Sequence, residues 1–426
     1  MNDSDDTQSR FDNRPPDFLS AEEVCEALGV KRATLYTYVS RGWIQRVASG
    51  RGRRNLYLRS DVERLRQRRD ARSGHTATAA GALRWGEPVI RTRIASLSEA
   101  GIRYRGRPLE ALLASGVSFE AVAELLWTNA LPERPRWSGG DDAVGPSAQA
   151  PPAGPPTVHA LIAATLALHA ADPAPLITGP KRALERGRAL IRGLCGAPPI
   201  GGVAEAAARR AARWSGATET EPPSAVIAAI NQALILSAEH GLNASTFAAR
   251  VAASTGADLY TAVVAGLCAF SGPRHGRACA GIEAILDVVD GPGDARRWVE
   301  GRYRAGEQVP GFVHRLYPRG DPRGGPLMAD AAALGGGRDR DTLIAVAEVM
   351  REAGWRTPTI DYGLVALTRA LGWPRGSATW LFAVGRCAGW VAHALEQRAS
   401  GTLLRPRATY DGAPPVVFSG GSTSGR

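Results

Sequence analysis

The sequence predicts a mainly α-helical protein, with a large helical body preceded by a small helix-turn-helix module. Three observations predict it. Long Ala/Leu segments such as Val158–Ala171 and Ser224–Ala238 carry apolar residues at helical spacing. Alternating Val/Ile/Thr stretches that would mark strands are few. Residues 17 to 72 carry in order a capped helix, a glycine stop, a second helix and a Gly/Arg turn, which is the spacing of helix-turn-helix.

At 426 residues the chain exceeds one ordinary globular core and has room for two or three structural units. Hydrophobic content of 44% beside 22% charged residues is that of a soluble protein. No apolar run approaches the roughly 20 residues that span a bilayer, so no membrane partner is expected. Residues 1 to 16 are acidic and polar with no signal-peptide stretch, and a cytoplasmic location is expected. Cys25, Cys195, Cys268, Cys279 and Cys387 lie far apart and form no CxxC pair, which fits a reducing compartment without a zinc or other metal site.

Residues 1 to 16 read as a disordered leader ending in Pro15-Pro16. Ser20, with Glu23 three places on, forms a capping box, and Val24, Ala27 and Leu28 make the apolar stripe of the first helix. Gly29 stops that helix, Lys31 to Ser40 supply the second, and Gly42, Trp43 and Ile44 close the unit before the Gly/Arg turn at 50–54. "LSAEEVCEALGVKRATLYTYVSRGWI" followed by "NLYLRSDVERLRQRR" resembles the excisionase-type winged helix. The resemblance implies that the second helix enters the major groove of duplex DNA. Lys31, Arg32, Thr34, Tyr36 and Arg41 would then face DNA, while Arg51, Arg53 and Arg54 on the wing meet phosphates. Nine arginines against three acids give +6 over the 22 positions from Arg51 to Arg72, in a chain of net charge +11. Two blander readings stay open: a module kept for packing or oligomerisation, and arginines that are ordinary solvated surface.

A polar stretch at 73–80 reads as a linker. Residues 138–156, "SGGDDAVGPSAQAPPAGPP", have too much Gly, Pro and Ala to bury anything and are expected as a surface loop. The chemistry-bearing candidates sit further on. His240 lies in "EHGLNASTFAAR", His275 in "SGPRHGRACAG" and His314 in "VPGFVHRLYPRGDPRG"; two of the three follow Gly/Pro-rich turns that bring backbone and imidazole close to a ligand. Asp361, in "TPTIDYGLVAL", is an acid inside an apolar segment, where a carboxylate needs a reason to be.

These stretches, in this order, resemble the citrate synthase family over roughly residues 101 to 410. "GIRYRGRPLEALLASGVSFEAVAELLWTNALP" looks like the family's N-terminal segment, and "EHGLNASTFAARVAASTGADLYTAVVAGLCAFSGPRHG" the stretch with its first two histidines. "VPGFVHRLYPRGDPR" resembles the third-histidine loop and "GRCAGWVAHALEQRASGTLLRPRATY" the C-terminal signature. The resemblance implies a large helical domain at 81–269, a smaller closing domain at 270–364, the rest of the large domain at 365–412, a flexible tail at 413–426, and a homodimer.

It also implies roles. Asp361 would be the general base that takes a methyl proton from an acyl-CoA, acetyl-CoA or propionyl-CoA, and His275 would donate a hydrogen bond to the thioester oxygen as the enolate forms. His314 would polarise the ketone of oxaloacetate, with His240 and Asn243 holding the same acid. Arg323, Arg386 and Arg405 would grip its carboxylates, Arg405 from the neighbouring subunit, because a guanidinium fork matches two oxygens. Val309, Pro310, Gly311, Phe312 and Val313 would lie against coenzyme A, which is a substrate; no other cofactor and no metal is expected. The sequence departs from the family pattern at Gly276-Arg277-Ala278-Cys279, where G-G-A-N is usual, and at Val313, where Gly is common. Arg277 either hinders backbone approach or attracts a phosphate of coenzyme A. The Asp361 segment is also about two residues shorter than in the mitochondrial type. Two readings of the whole follow: an acyltransferase making citrate or 2-methylcitrate, or a DNA-binding transcriptional regulator that uses the synthase fold as a sensor, with citryl-CoA cleavage as a third.

Overall fold

The computed structural model describes residues 18–48, 55–59, 61–63, 65, 90–98, 101–133, 135, 137, 154–176, 179–196, 202–216, 221–314, 316–317, 320–354 and 357–406. The leader at 1–16, the linker at 73–80, the tail at 413–426, most of the loop at 138–156, and Arg51, Arg53 and Arg54 lie outside the described residues.

The N-terminal unit forms as its caps dictate. β1 (Phe18–Ser20) runs into α1 (Ala21–Leu28) at Ser20, whose hydroxyl accepts the Glu23 N–H while the Glu23 carboxylate accepts the Ser20 N–H. Gly29 ends α1 in the left-handed region at φ 58. α2 (Arg32–Ser40) starts one residue later than the sequence suggests, because Lys31 stays extended as its N-cap. β2 (Arg46–Ala48) and β3 (Asn55–Leu58) complete an antiparallel sheet ordered β1-β3-β2. Val24, Leu28, Leu35, Ile44, Tyr57 and Val62 form a core of their own, separate from that of the body.

The body begins with a second antiparallel sheet, β4 (Ala95–Ser98), β5 (Gly101–Tyr104) and β6 (Arg107–Pro108). Its strands are two to four residues long, too short to show a period in the sequence. Helices follow: α3 (Leu109–Ala114), α4 (Phe119–Thr128), α5 (Val158–Ala171), α6 (Pro180–Cys195) and α7 (Val203–Trp214). Then come α8 (Ser224–Ala238), α9 (Ala244–Ser254), α10 (Leu259–Phe270), α11 (Ala278–Glu283) and α12 (Ile285–Val288). The last five are α13 (Ala295–Ala305), α14 (Gly324–Ala333), α15 (Arg338–Glu352), α16 (Ile360–Ala370) and α17 (Ser377–Ser400). The mainly α class read from the sequence holds. No described helix is long and apolar enough to cross a membrane.

The axis of the body is α17. Its residues from Trp380 to Ala394 are buried without interruption and, Arg386 and His393 apart, are apolar or small, as suits a helix that other helices surround. It packs on α4, α6, α8, α9, α10 and α16. Two glycines one turn apart set how close α8 comes. A Cβ at Gly385 would stand 2.7 Å from Ser237 Cβ, and one at Gly389 would stand 2.4 Å from the Ala238 carbonyl oxygen. Arg386 lies between them, so the backbone that precedes His240 is brought against it. On the other side α16 packs against α14, α11 and α15, and its N-terminus meets the loop at 306–323.

Candidate active site

Five separate segments meet at one buried place. The stretch between α8 and α9 carries His240 and Asn243, and the turn between α10 and α11 carries His275. The loop between α13 and α14 carries His314 and Arg323, α16 carries Asp361 in its first turn, and α17 carries Arg386. The His240 and His314 rings stand edge to face with centroids 5.6 Å apart. Tyr317 lies between these groups: its hydroxyl is 2.6 Å from His240 Nε2, and its ring is 4.9 Å from that of His314 and 5.7 Å from the Arg323 guanidinium.

Hydrogen bonds fix each imidazole. His314 Nδ1 accepts the Leu316 N–H at 3.2 Å, so the proton of the neutral ring sits on Nε2, where it can be donated. His275 Nε2 is 2.7 Å from Ser245 Oγ, which also accepts the Trp390 indole N–H at 3.0 Å. The single hydroxyl proton of Ser245 can go to Asn243 Oδ1 at 2.8 Å or to His275 Nε2; given to Nε2, it leaves the ring proton on Nδ1 for another acceptor. Asn243 is the N-cap of α9 through Oδ1, while its buried Nδ2 has no partner among the described residues.

The two arginines are held differently. Arg323 is buried and forks onto Asp321, with Nε 2.9 Å from Oδ1 and Nη2 2.8 Å from Oδ2. Arg386 is buried too: its Nε donates to the Ser237 carbonyl at 2.7 Å and its guanidinium lies 5.1 Å from the centre of the Phe382 ring, but its Nη2 has no hydrogen-bond partner among the described residues. A buried guanidinium edge without an acceptor is costly, and an anion is the chemistry that satisfies it. Arg405 lies apart from this cluster and is exposed. Gly311 takes φ 88, and its carbonyl accepts the Thr359 N–H at 2.7 Å, tying the 309–313 loop to the start of α16. Val309 and Phe312 are buried there, Phe312 edge-on to Tyr362, while Val313 is exposed.

Burial sets the protonation states. It raises the Asp361 carboxyl to about 6 against the opposing charge of Arg323. It lowers His275 and His314 to about 4, helped by Arg386 in the first case and Arg323 in the second, and takes His240 well below its ordinary value, aided by both arginines. Burial brings Arg386 down to about 10, with Glu239 opposing. Near pH 7 the site therefore holds one carboxylate base, three neutral imidazoles and two guanidinium cations. That combination can remove a weakly acidic proton while donating hydrogen bonds to the oxygen that becomes charged.

Asp321, Tyr317 and Ser245 were not singled out by the sequence reading. Asp321 stood in plain view two residues before Arg323, and an Asp-x-Arg pair in a Pro/Gly-rich loop is a readable sign of a pinned guanidinium. Tyr317 and Ser245 carried no such sign. Among the described residues no group of three His, Cys, Asp or Glu side chains could hold a metal ion.

In the N-terminal unit, Lys31, Arg32, Tyr36 and Arg41 are exposed around α2, Thr34 is half-buried, and Leu35 anchors the helix beneath them. Arg32 reaches Glu22 at 3.3 Å, and the Arg41 guanidinium lies 5.4 Å from the centre of the Trp43 ring.

Residues 82–407 match the citrate synthase C-terminal domain family, well over half of the chain. The chain belongs to the citrate synthase family. Residues 18–70 match a helix-turn-helix domain family. Among curated relatives, a citrate synthase of Haloferax volcanii is 40% identical over 205 residues, covering 47% of this chain and 54% of that one. A 2-methylcitrate synthase of Mycobacterium tuberculosis is 34% identical over 203 residues, covering 47% and 52%. The chain thus spans about half the length of the curated relatives it matches. Among solved structures, the citrate synthase of Thermoplasma acidophilum in ternary complex with carboxymethyl coenzyme A and oxaloacetate superposes with a TM-score of 0.63 at 25% identity, over 78% of this chain and 95% of that one. The citrate synthase of Thermotoga maritima, with a TM-score of 0.61 at 24% identity, covers 78% and 96% and shares the fold.

Within this cluster, Asp321 is the residue whose loss is expected to be felt most in stability. It pairs with Arg323 and also accepts the Ile360 N–H at 3.1 Å, so Asp321→Asn leaves a buried cation unpaired. Breaking a buried pair from one side costs roughly 3–5 kcal/mol, and urea denaturation is expected to register a loss of that size. A loss under about 1 kcal/mol would mean that Arg323 does not depend on Asp321.

Proposed function

We propose that this protein is an acyltransferase that condenses acetyl-CoA or propionyl-CoA with oxaloacetate, giving citrate or 2-methylcitrate and free coenzyme A. The observation that carries the reading is the union, in one buried site, of a carboxyl raised to about 6, two imidazoles lowered to about 4, and an arginine with an unsatisfied edge. Asp361 takes the proton from the carbon next to the thioester, and His275 donates to the thioester oxygen as it gains charge. His314, with its proton on Nε2, donates to the ketone oxygen of oxaloacetate, where the new carbon–carbon bond forms. His240, Asn243, Arg323 and Arg386 hold that acid, and hydrolysis of the resulting thioester releases coenzyme A. The 309–313 loop, fastened to the start of α16, lies against coenzyme A, and the part at 270–364 closes over both substrates. Arg405 reaches the site of a second subunit in a homodimer, and the protein works in the cytoplasm with no cofactor or metal besides its substrates.

The test is thiol release by purified protein with oxaloacetate and acetyl-CoA or propionyl-CoA. Turnover is expected with at least one of them, and Asp361→Asn is expected to lower it by about a hundredfold to ten thousandfold, as loss of a positioned base does, while oxaloacetate still binds. An Asp361→Asn protein near wild-type turnover contradicts the assignment. Tight binding of oxaloacetate by a wild-type protein that releases no thiol would favour the sensor reading.

The exposed cations and aromatics around α2 support a second activity of the N-terminal unit, the binding of duplex DNA. A dimeric body would present two such units to two half-sites. A protein beginning near Ala79 is expected to keep its turnover and lose DNA binding, and binding by the full chain is expected to weaken steeply with salt. Equal DNA binding with and without residues 1–78 would refute this.

A further inference from the structure

Asp361 has one more neighbour that the condensation scheme leaves unused. Cys279, in the second position of α11 and four residues after His275, is fully buried, with Sγ 3.7 Å from Asp361 Oδ1 and 4.0 Å from the Asp361 carbonyl oxygen. The helix that follows the His275 turn thus delivers a thiol to the helix that carries the carboxylate. The Thr379 hydroxyl also neighbours the thiol and donates to the carbonyl of Gly276, the residue after His275, at 3.4 Å.

We propose that Cys279 is a positioning residue for the base: its S–H donates to Asp361 Oδ1, favours the ionised carboxylate and holds it in one orientation, on the side where α11 packs against α16. The direction of donation follows from the surroundings. Burial, then the charges of Asp361 and Glu283, push the Cys279 thiol well above its ordinary range, so it keeps its proton and can only donate to a carboxylate. The groups that face Asp361 are Arg323 and Asp321 from the loop before α14, Cys279 from α11 and Arg386 from α17. The two arginines favour the carboxylate from a distance, and Asp321 opposes it. Cys279 is the side chain for which a hydrogen bond to an Asp361 carboxylate oxygen is found among the described residues. The Asp361 backbone N–H also favours the carboxylate, so Cys279 adds a side-chain donor to it. A carboxylate that loses a close donor in a dry site gains a proton more readily and turns more freely.

The consequence for turnover rests on the proposed condensation; the consequence for the carboxyl itself does not, and the experiment separates them. The ionisation of Asp361 is followed by infrared difference titration, with its band assigned by Asp361→Asn, in wild-type protein and in Cys279→Ala, Cys279→Val and Cys279→Ser. The first two remove the donor, one leaving space and one filling it, while Ser keeps a donor. Ionisation is expected to move to higher pH by roughly half a unit to one unit in both Ala and Val, the size suited to a weak donor, and to stay at or below the wild-type position in Ser. The acid limb of kcat/KM is expected to move with it. Unchanged Asp361 ionisation in both donor-free proteins, or a shift in Ser equal to that in Ala, overturns the proposal. A shift in Ala and Val without thiol release by the wild-type protein upholds the role of Cys279 and overturns the condensation instead.

Discussion

The site depends on one carboxylate, Asp321. It binds Arg323 through two parallel hydrogen bonds and accepts the Ile360 N–H at the start of α16, the residue next to Asp361. A cation that suits an anionic substrate and the helix end that carries the base are thereby fixed to the same atom pair. Asp321 is itself buried, yet the nearby guanidinium holds it below the usual carboxylate range in spite of that burial, which favours the charged pair at neutral pH. The rest of the site is arranged around this joint, with Tyr317 lying over Arg323 and touching both His240 and His314.

Burial then does two opposite things with one cause. It makes a carboxylate harder to ionise and an imidazole harder to protonate, so Asp361 rises towards neutrality while the histidines fall away from it. A base strong enough to act near pH 7 and donors that carry no charge of their own come from the same exclusion of water. Arg386 feels the same burial, which works against its charge, and an incoming carboxylate would offset it. Packing and chemistry meet in α17, since the small residues that let α8 approach also bring Arg386 beneath Ser237.

The sequence made legible what is local or periodic. The Ser20 capping box, the Gly29 stop and the long helices of the body all follow from spacing within a few residues. His275, His314 and Asp361 were legible from their contexts, a Gly/Pro-rich turn or an apolar run, whereas the roles of His240, Arg323 and Arg386 came only with the resemblance to the family. What was not legible depends on pairing across the chain. The contact between Cys279 and Asp361 joins residues 82 apart, and the one between Ser245 and His275 joins residues 30 apart. The little sheet β4-β5-β6 escaped for another reason, since strands this short have no period to read.

The central claim is that a single buried carboxylate, raised in pKa, works among imidazoles that stay neutral. The pH dependence of kcat/KM for the acyl-CoA, measured from pH 5 to pH 8 at saturating oxaloacetate, tests it directly. The carboxylate must be ionised to act, so the rate is expected to be level above about pH 7 and to fall about tenfold per unit below about pH 6, with one ionisation and no second bend from histidine in that range. A rate that is flat down to pH 5, or one that rises as histidine is protonated, would contradict the account.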